Sequence, residues 1–373
     1  MRLLGALLLP LLGACDGANI QSTRTIFFRG EPVASVVEST PTPREVKRVT
    51  RLNDDVITLT ASLDADGFAI AAVSDRPGAR HIELRAGAIV DDVGHRLPVA
   101  GRVLLVELVH RVRTTSRSAA TLVDLTSAET LAVTVERRGP EVVVVDQAGH
   151  VVVRALPQGL RVGPGVFAEG DAAPLLPSAP TEIAVPGTST LKGKALAGAA
   201  KQVPPPTTAT RPDQSAPGIF FESDDAGVKG LISCGSGLAD AVGIAERVHA
   251  LVDATKVDEP PSARGMLKHG GDCDGAAALV TAALRSCGHP ARALVGYKLV
   301  APGTAEARLV PHAVAEVYSD GVWTKVDATV PVIGSLDDVF LPVAEGLGGT
   351  LTMGRVLGVA GAGEALVDAA GLR

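Results

Sequence analysis

The chain has 373 residues, a formal net charge of −6 and only 3% aromatic residues. This length predicts about two domains, and the scarcity of aromatic residues means that their cores are built mainly from small aliphatic side chains. The acidic balance argues against nucleic acid as a partner and against a membrane surface held by charge alone.

The N-terminus has the features of an export signal. An apolar run follows Arg2 and extends from Leu3 to Ala14, which is too short to span a bilayer. The segment Leu12-Gly13-Ala14-Cys15 resembles the bacterial lipoprotein signal, in which the cysteine is lipidated and becomes the first residue. The resemblance implies a signal peptide at 1–14, lipidation of Cys15 and a tether at 15–22. The protein would then be exported and lipid-anchored to a bacterial membrane, facing the periplasm or the cell exterior. A plain signal peptide with an incidental cysteine is the alternative.

Residues 23–169 are expected to form a mostly β domain. Turn signals such as Asp66-Gly67 separate short runs of strand-forming residues. The scattered histidines of this region, including His95, form no catalytic arrangement. The clearest predicted strands are Val56–Leu63, Ala69–Val73, Val103–Val109 and Val142–Val145.

A change of composition marks residues 170–217 as a linker. Proline, alanine, threonine, lysine and glycine dominate there, and three consecutive prolines occur at 204–206, which makes that part semi-rigid. The segment therefore separates the β domain from a second domain at 218–345. Glycine-rich sequence at 346–373 follows as a tail, with a short helical segment to which no role can be assigned.

A buried helix is predicted from Asp274 to Ser286. Asp272 is a suitable N-cap residue, and Gly288 and Pro290 end the helix. Apolar side chains surround most of the helix axis, which indicates burial on nearly all sides.

Cys273 lies at the start of this helix. The positive end of the helix dipole favours a thiolate there, whereas the carboxylates of Asp272 and Asp274 oppose it. A histidine partner would therefore matter for reactivity. The alternative is that Cys273 is a small buried hydrophobic residue, which is common for a free cysteine.

A β-hairpin is predicted around Asp320-Gly321, a strong two-residue turn signal. Pairing the strands about this turn creates favourable cross-strand contacts between two aromatic residues and between opposite charges. The predicted partners are Ser319 with Val322, Tyr318 with Trp323, and Glu316 with Lys325.

The same register makes His312 and Asp327 diagonal neighbours. Their backbones would lie roughly 7–8 Å apart, within reach of the two side chains. Asp327 could orient the imidazole toward a thiol, as in a nucleophile–base–orienter triad completed by Cys273. Alternatively, His312 is a hairpin-end residue and Asp327 a turn former.

Two segments, GDCDGAAALVTAALRSCGHPARALVGY and HAVAEVYSDGVWTKVDAT, resemble the cysteine-helix motif and the histidine–aspartate hairpin of the transglutaminase-like superfamily. The resemblance covers roughly 219–343. It implies an α+β fold with a papain-like core, in which the cysteine helix packs on an antiparallel sheet, preceded by the mostly β N-terminal domain. It also implies that Cys273 is the nucleophile, His312 the general base and acid, and Asp327 the residue that orients the histidine.

Three positions depart from the family pattern. Gly275 replaces a common glutamate, Val314 a common aromatic residue and Ala328 a common proline. None of these positions is a member of the triad. They put the shape of the substrate groove and the tuning of the site in doubt.

Cys234 and Cys287 form an even pair in a chain expected to be exported. They could form a disulfide, but two buried free thiols are the favoured interpretation. No Cys or His cluster has ligand spacing, so we expect neither a metal nor another cofactor.

The resemblance implies thiol-dependent amide chemistry on a peptide or protein substrate, through a thioester. Water as the acceptor gives hydrolysis, and a primary amine gives acyl transfer. The alternative function is a catalytically inactive peptide-binding or scaffold module of the cell envelope.

Overall fold

The computed structural model describes residues 20–28, 31–52, 55–75, 81–114, 116–147, 149, 151–156, 159–162, 167–170, 182–185, 209–235, 237–253, 261–347 and 351. The predicted signal peptide and Cys15 lie outside these ranges. Within them, no helix combines the length and apolar character needed to cross a membrane.

The N-terminal part of the chain is mostly β. Its strands are β1 Ile20–Phe28, β2 Glu31–Thr42, β3 Glu45–Leu52, β4 Asp55–Leu63, β5 Ala69–Asp75, β6 Ile82–Arg85, β7 Ala88–Asp91, β8 Arg96–Pro98, β9 Val103–Leu105, β10 Ser118–Asp124, β11 Glu129–Arg138, β12 Glu141–Asp146, β13 Val151–Leu156, β14 Gly159–Val162 and β15 Phe167–Gly170. Strand β4 pairs with both β3 and β5, so the sheet closes into a barrel, and β6, β7 and β8 extend from β5 outside the ring. Among the barrel pairs, β9–β10 is parallel, because β9 reaches β10 through a short helical crossover rather than a hairpin.

One predicted strand of this region is wrong in its second half. The run Val103–Val109 was expected to be extended, but β9 ends at Leu105 and a 3-10 helix spans Val106–Arg111. A period of three residues places Glu107 and His110 on one side of this helix. His110 thereby contacts the buried carboxylate of Glu38, with 3.1 Å between Nε2 and Oε1.

Charged side chains are buried beside the apolar core of the barrel. Arg48 pairs with Glu169 at 2.5 Å between Nη2 and Oε2. Burial would raise the pKa of Glu38, but the hydrogen bond and charge of His110, with the charge of Arg111, lower it to about 2. Burial and the nearby Asp124 instead raise the pKa of Glu107 to about 7. Pairing offsets much of the cost of removing these charges from water.

The C-terminal part is α+β. Its helices are α1 Ala226–Lys229, α2 Gly237–His249, α3 Ala263–His269 and α4 Cys273–Ser286, and its strands are β16 Ile183–Ala184, β17 Ala291–Val300, β18 Arg308–Ser319, β19 Val322–Asp327, β20 Val332–Ile333 and β21 Phe340–Glu345. The strand order is β20-β19-β18-β17-β21, with β16 beside β18, and the pairings of these strands are antiparallel. Short 3-10 helices span Pro212–Ser215 and Ser335–Asp338.

Strand β16 lies within the segment predicted to be a linker. Ile183 pairs with Leu309 and is buried, and Val185 donates its N–H to Ala307 O at 2.9 Å. The buried side chains of Ile183 and Val185 thus attach this part of the predicted linker to the sheet.

Helix α4 is buried from Gly275 to Arg285, as the distribution of apolar residues predicts. Its small side chains let it pack closely against β17 and β18, where Ala291, Ala315 and Val317 meet it. The N-cap is also as predicted, since Asp272 Oδ1 accepts the N–H of Asp274 at 3.1 Å. This packing fixes the position of Cys273 at the edge of the sheet.

The favoured interpretation of Cys234 and Cys287 as free thiols is wrong. They form a disulfide with 5.3 Å between the two Cα atoms. Helix α2 follows Cys234 directly, and it packs on α4, which ends just before Cys287. The contact between the two helices therefore brings the sulfurs together.

The barrel and the C-terminal part share one apolar cluster, which includes Leu105 and Val123 from the first and Ala293 and Tyr297 from the second. Beyond the sheet, Leu351 is buried and donates its N–H to Glu129 Oε2 at 2.9 Å. At least one residue of the predicted tail thus contacts the barrel.

Candidate active site

The hairpin has the predicted register. Ser319 pairs with Val322, Tyr318 with Trp323 and Glu316 with Lys325. Asp320 and Gly321 have φ values of 53° and 85°, the left-handed conformations that a type I′ turn requires. Trp323 packs 5.3 Å from Tyr318 between ring centroids.

His312 and Asp327 are in direct contact. His312 Nε2 lies 2.9 Å from Asp327 Oδ2, and both residues are buried. The edge of the imidazole also faces Phe340, with 6.4 Å between ring centroids. When Nε2 donates to the carboxylate, Nδ1 carries the free lone pair and is the atom that can accept a proton.

Asp327 is held by further donors that the sequence did not reveal. Lys298 Nζ lies 2.6 Å from Oδ2, and Thr329 donates to Oδ1 through its hydroxyl at 2.6 Å and its N–H at 2.9 Å. Burial would raise the pKa of Asp327, but His312, Lys298 and Thr329 together lower it well below its usual range. The carboxylate therefore stays ionised and fixed in orientation.

Cys273 lies beside the same point of β18. Its Sγ lies 3.7 Å from Asp274 Oδ1 and accepts the N–H of Ala313, the residue that follows His312. Among the described residues, no direct hydrogen bond joins the sulfur to the His312 imidazole. The proton of the thiol would therefore have to be transferred to Nδ1 during a reaction.

The environment of Cys273 favours the neutral thiol. Burial is the largest cause of a pKa well above the usual value, and the charges of Asp274 and Asp272 add to it. The Ala313 N–H opposes this shift but does not outweigh it. The site is therefore a protonated thiol beside an oriented imidazole in the resting state.

Within the part of the chain that the structure describes, no three His, Cys, Asp or Glu residues are grouped so that they could hold a metal ion.

The comparisons with known proteins give one family match and one similar solved structure. No curated protein matches the chain. A crystal structure of a proposed cysteine protease from Cytophaga hutchinsonii is 24% identical, with a TM-score of 0.31, and the match covers 39% of this chain and 50% of that one. Residues 233–328 match the family described as the Transglutaminase-like superfamily, and this stretch contains the cysteine helix and the histidine–aspartate hairpin. The chain therefore carries a transglutaminase-like domain.

Proposed function

We propose that the domain carries out thiol-dependent chemistry on amides, with Cys273 as nucleophile, His312 as general base and acid, and Asp327 as the orienting carboxylate. The observation that carries the proposal is the buried 2.9 Å contact between His312 Nε2 and Asp327 Oδ2. Ala313, whose backbone N–H is accepted by the Cys273 sulfur, directly follows His312 in the chain.

In this mechanism, proton transfer accompanies attack. His312 Nδ1 takes the proton of the Cys273 thiol while the sulfur attacks the amide carbonyl. Because the resting thiol is protonated, no ion pair exists beforehand. The imidazolium then gives its proton to the leaving amine, the C–N bond breaks, and a thioester remains.

The carbonyl oxygen becomes negative during attack and needs hydrogen-bond donors. The backbone N–H of Cys273, at the start of the 14-residue helix α4, is one such donor. We propose that it forms part of the oxyanion hole.

The thioester is resolved by an acceptor. We propose water, activated by neutral His312, and hence hydrolysis of a peptide or isopeptide bond. Water is always present at an exposed thioester, whereas an amine would have to be supplied by a second substrate. A primary amine in its place would give acyl transfer through the same intermediate.

We also propose that the protein is exported and anchored through lipid on Cys15. The Cys234–Cys287 disulfide supports an oxidising compartment, since such bonds persist outside the cytosol.

One observation favours a different function. The raised pKa of Cys273 is what an inactive peptide-binding module would show, because such a module needs no thiolate. The two functions differ in whether His312 accelerates reactions of the sulfur.

The test is labelling by a thiol-directed amide mimic across pH. We expect the native protein to label near neutral pH, Cys273→Ala not to label, and His312→Gln to label at least a hundredfold more slowly at neutral pH. Persistent labelling of Cys273→Ala would show that the nucleophile is wrongly assigned. Equal labelling of the native protein and His312→Gln would favour the binding module.

A further inference from the structure

A cavity of about 370 Å³ lies at the junction of the barrel and the transglutaminase-like domain. Residues 127–131 and Arg96 line it from the barrel side, and Arg285 and Arg292 line it from the other side. It includes none of Cys273, His312 and Asp327. Its volume is within the range of small-molecule sites.

Arg285 is the most informative residue of this cavity. Its side chain is buried, with the residue 7% exposed. Its Nε donates to Ala291 O at 2.9 Å and its Nη1 to Ala216 O at 3.2 Å. Both hydrogen-bond partners are neutral carbonyls, and Cζ lies 4.6 Å from the centroid of the Phe221 ring. Among the described residues, no carboxylate forms an ion pair with Arg285.

The neighbouring arginines form ion pairs with carboxylates, whereas Arg285 does not. Arg292 Nη2 lies 2.7 Å from Glu316 Oε2, and Arg211 pairs with Asp213 and Glu345. Burial lowers the pKa of Arg285 to about 10, although the charges of Asp213 and Glu345 oppose this shift. A buried charge without a direct ion-pair partner is costly, and an anionic ligand in contact with the guanidinium would reduce that cost.

The lining also contains three carboxylates, Glu129, Asp213 and Glu345, and the last two pair with Arg211. The rest of the lining offers one further cation without an ion pair and a large apolar surface. Arg96, on β8, is exposed and has no ion-pair partner in the described ranges. Apolar side chains from both parts of the molecule complete the wall, namely Leu97, Ile219, Phe220, Phe221 and Leu347. A ligand that fits this lining would therefore carry a single anionic group on an apolar body.

We propose that this cavity binds a small ligand with one anionic group on an apolar body. The anionic group lies against the Arg285 guanidinium, with Arg96 approaching it from the barrel. The apolar body lies along Phe220 and Phe221. The carboxylate of a medium-chain acid has this chemistry and this size.

The site is separate from the thiol. Arg285 is twelve residues after Cys273 on the same helix, which places their backbones roughly 18 Å apart. The ligand is therefore not the scissile amide. It would stabilise the junction and the far end of the helix that carries Cys273, since a ligand that binds only the folded state raises stability.

Calorimetry on the full chain tests the proposal, with octanoate, octanol and inorganic phosphate as probes. We expect saturable binding of octanoate and at least tenfold weaker binding of the other two. Octanol binding as tightly as octanoate would overturn the role of the charge. Phosphate binding as tightly would overturn the role of the apolar body, and no binding of octanoate at millimolar concentration would overturn the site.

Three variants locate the ligand. Arg285→Gln should weaken octanoate binding at least tenfold, and the matched control Arg285→Lys, which keeps the charge, should retain more of it. Because Arg285→Gln also loses hydrogen bonds to two carbonyls, its fold is checked by circular dichroism. Thr130→Trp, at an exposed position of the lining, should block binding without disturbing the core. Unchanged affinity in folded Arg285→Gln or in Thr130→Trp would place the ligand elsewhere and refute the proposal.

Discussion

Asp327 Oδ2 receives two donors of different character. His312 Nε2 lies at 2.9 Å and Lys298 Nζ at 2.6 Å from the same oxygen. The Lys298 hydrogen bond helps to keep the Asp327 carboxylate ionised and in place beside His312. We infer that Lys298 is a positioning residue for the proposed base.

Lys298→Met tests this role. The Asp327 carboxylate would lose one of its donors and would hold His312 less firmly, so labelling of Cys273 at neutral pH should slow by about tenfold or more. The measurement is the labelling rate at one fixed pH, with circular dichroism to confirm the fold.

Lys325→Met is the matched control. Lys325 lies on β19, the strand that carries Asp327, and faces Glu316 at 3.7 Å rather than Asp327. Lys325→Met should label at close to the native rate. If Lys298→Met also labels at the native rate, Lys298 has no part in positioning Asp327.

At the scale of single elements, local sequence signals predicted a β-turn, the register of its strands and the start of a helix. Asp320-Gly321 determined both the turn and the register of β18 and β19, and Asp272 determined the start of α4. Each of these features depends on residues that are close in sequence, so a turn or a cap can be recognised without knowledge of the rest of the chain.

The features that sequence reasoning missed depend on distant pairings. The barrel depends on contacts of β1 with β15 and of β5 with β9, which join strands far apart in sequence and for which no residue carries a local signal. Lys298 reaches Asp327 from β17, a strand that does not pair with β19. The Cys234–Cys287 bond likewise follows from the packing of α2 on α4, whereas spacing alone does not determine connectivity.

The disulfide ties the start of α2 to the end of the catalytic helix across 53 residues of sequence. Closing a loop of this length restricts the unfolded chain, and the chain-entropy relation gives roughly 4 kcal/mol of stabilisation. The double variant Cys234→Ser/Cys287→Ser should therefore unfold at a lower urea concentration. Its free energy of unfolding should be lower by roughly 4 kcal/mol.

Cys273→Ser is the control, since it removes a free thiol and leaves the bridge intact. Reductant should destabilise this control and the native protein, but not the double variant. An identical urea midpoint for the oxidised native protein and the double variant would show that the bridge does not form in solution.

At the scale of the whole molecule, an ionic contact joins the barrel side to the transglutaminase-like domain. His95 Nδ1 lies 2.8 Å from Asp91 Oδ2, and Nε2 lies 3.1 Å from Asp224, in the C-terminal part. Burial would lower the pKa of His95, but the hydrogen bonds and charges of the two carboxylates raise it above its usual value. The protonated imidazole therefore links the two parts.

This link makes the junction sensitive to pH. Because the folded-state pKa of His95 is raised, its contribution to stability is fully present below the unfolded value of about 6.5. It is lost as the pH rises through the folded value. As the pH rises above about 6.5, stability should therefore fall more steeply in the native protein than in His95→Gln.

The difference between the two proteins is the quantity to measure, by urea unfolding at a series of pH values. Glu107 also has a raised pKa, of about 7, and lowers the stability of both proteins as the pH rises. Subtracting the His95→Gln curve removes that shared contribution and leaves the effect of His95. Asp224→Asn should reproduce part of the same change, because it removes one of the two carboxylates that raise the pKa. Parallel curves for the native protein and His95→Gln would mean that His95 does not couple protonation to the stability of the junction.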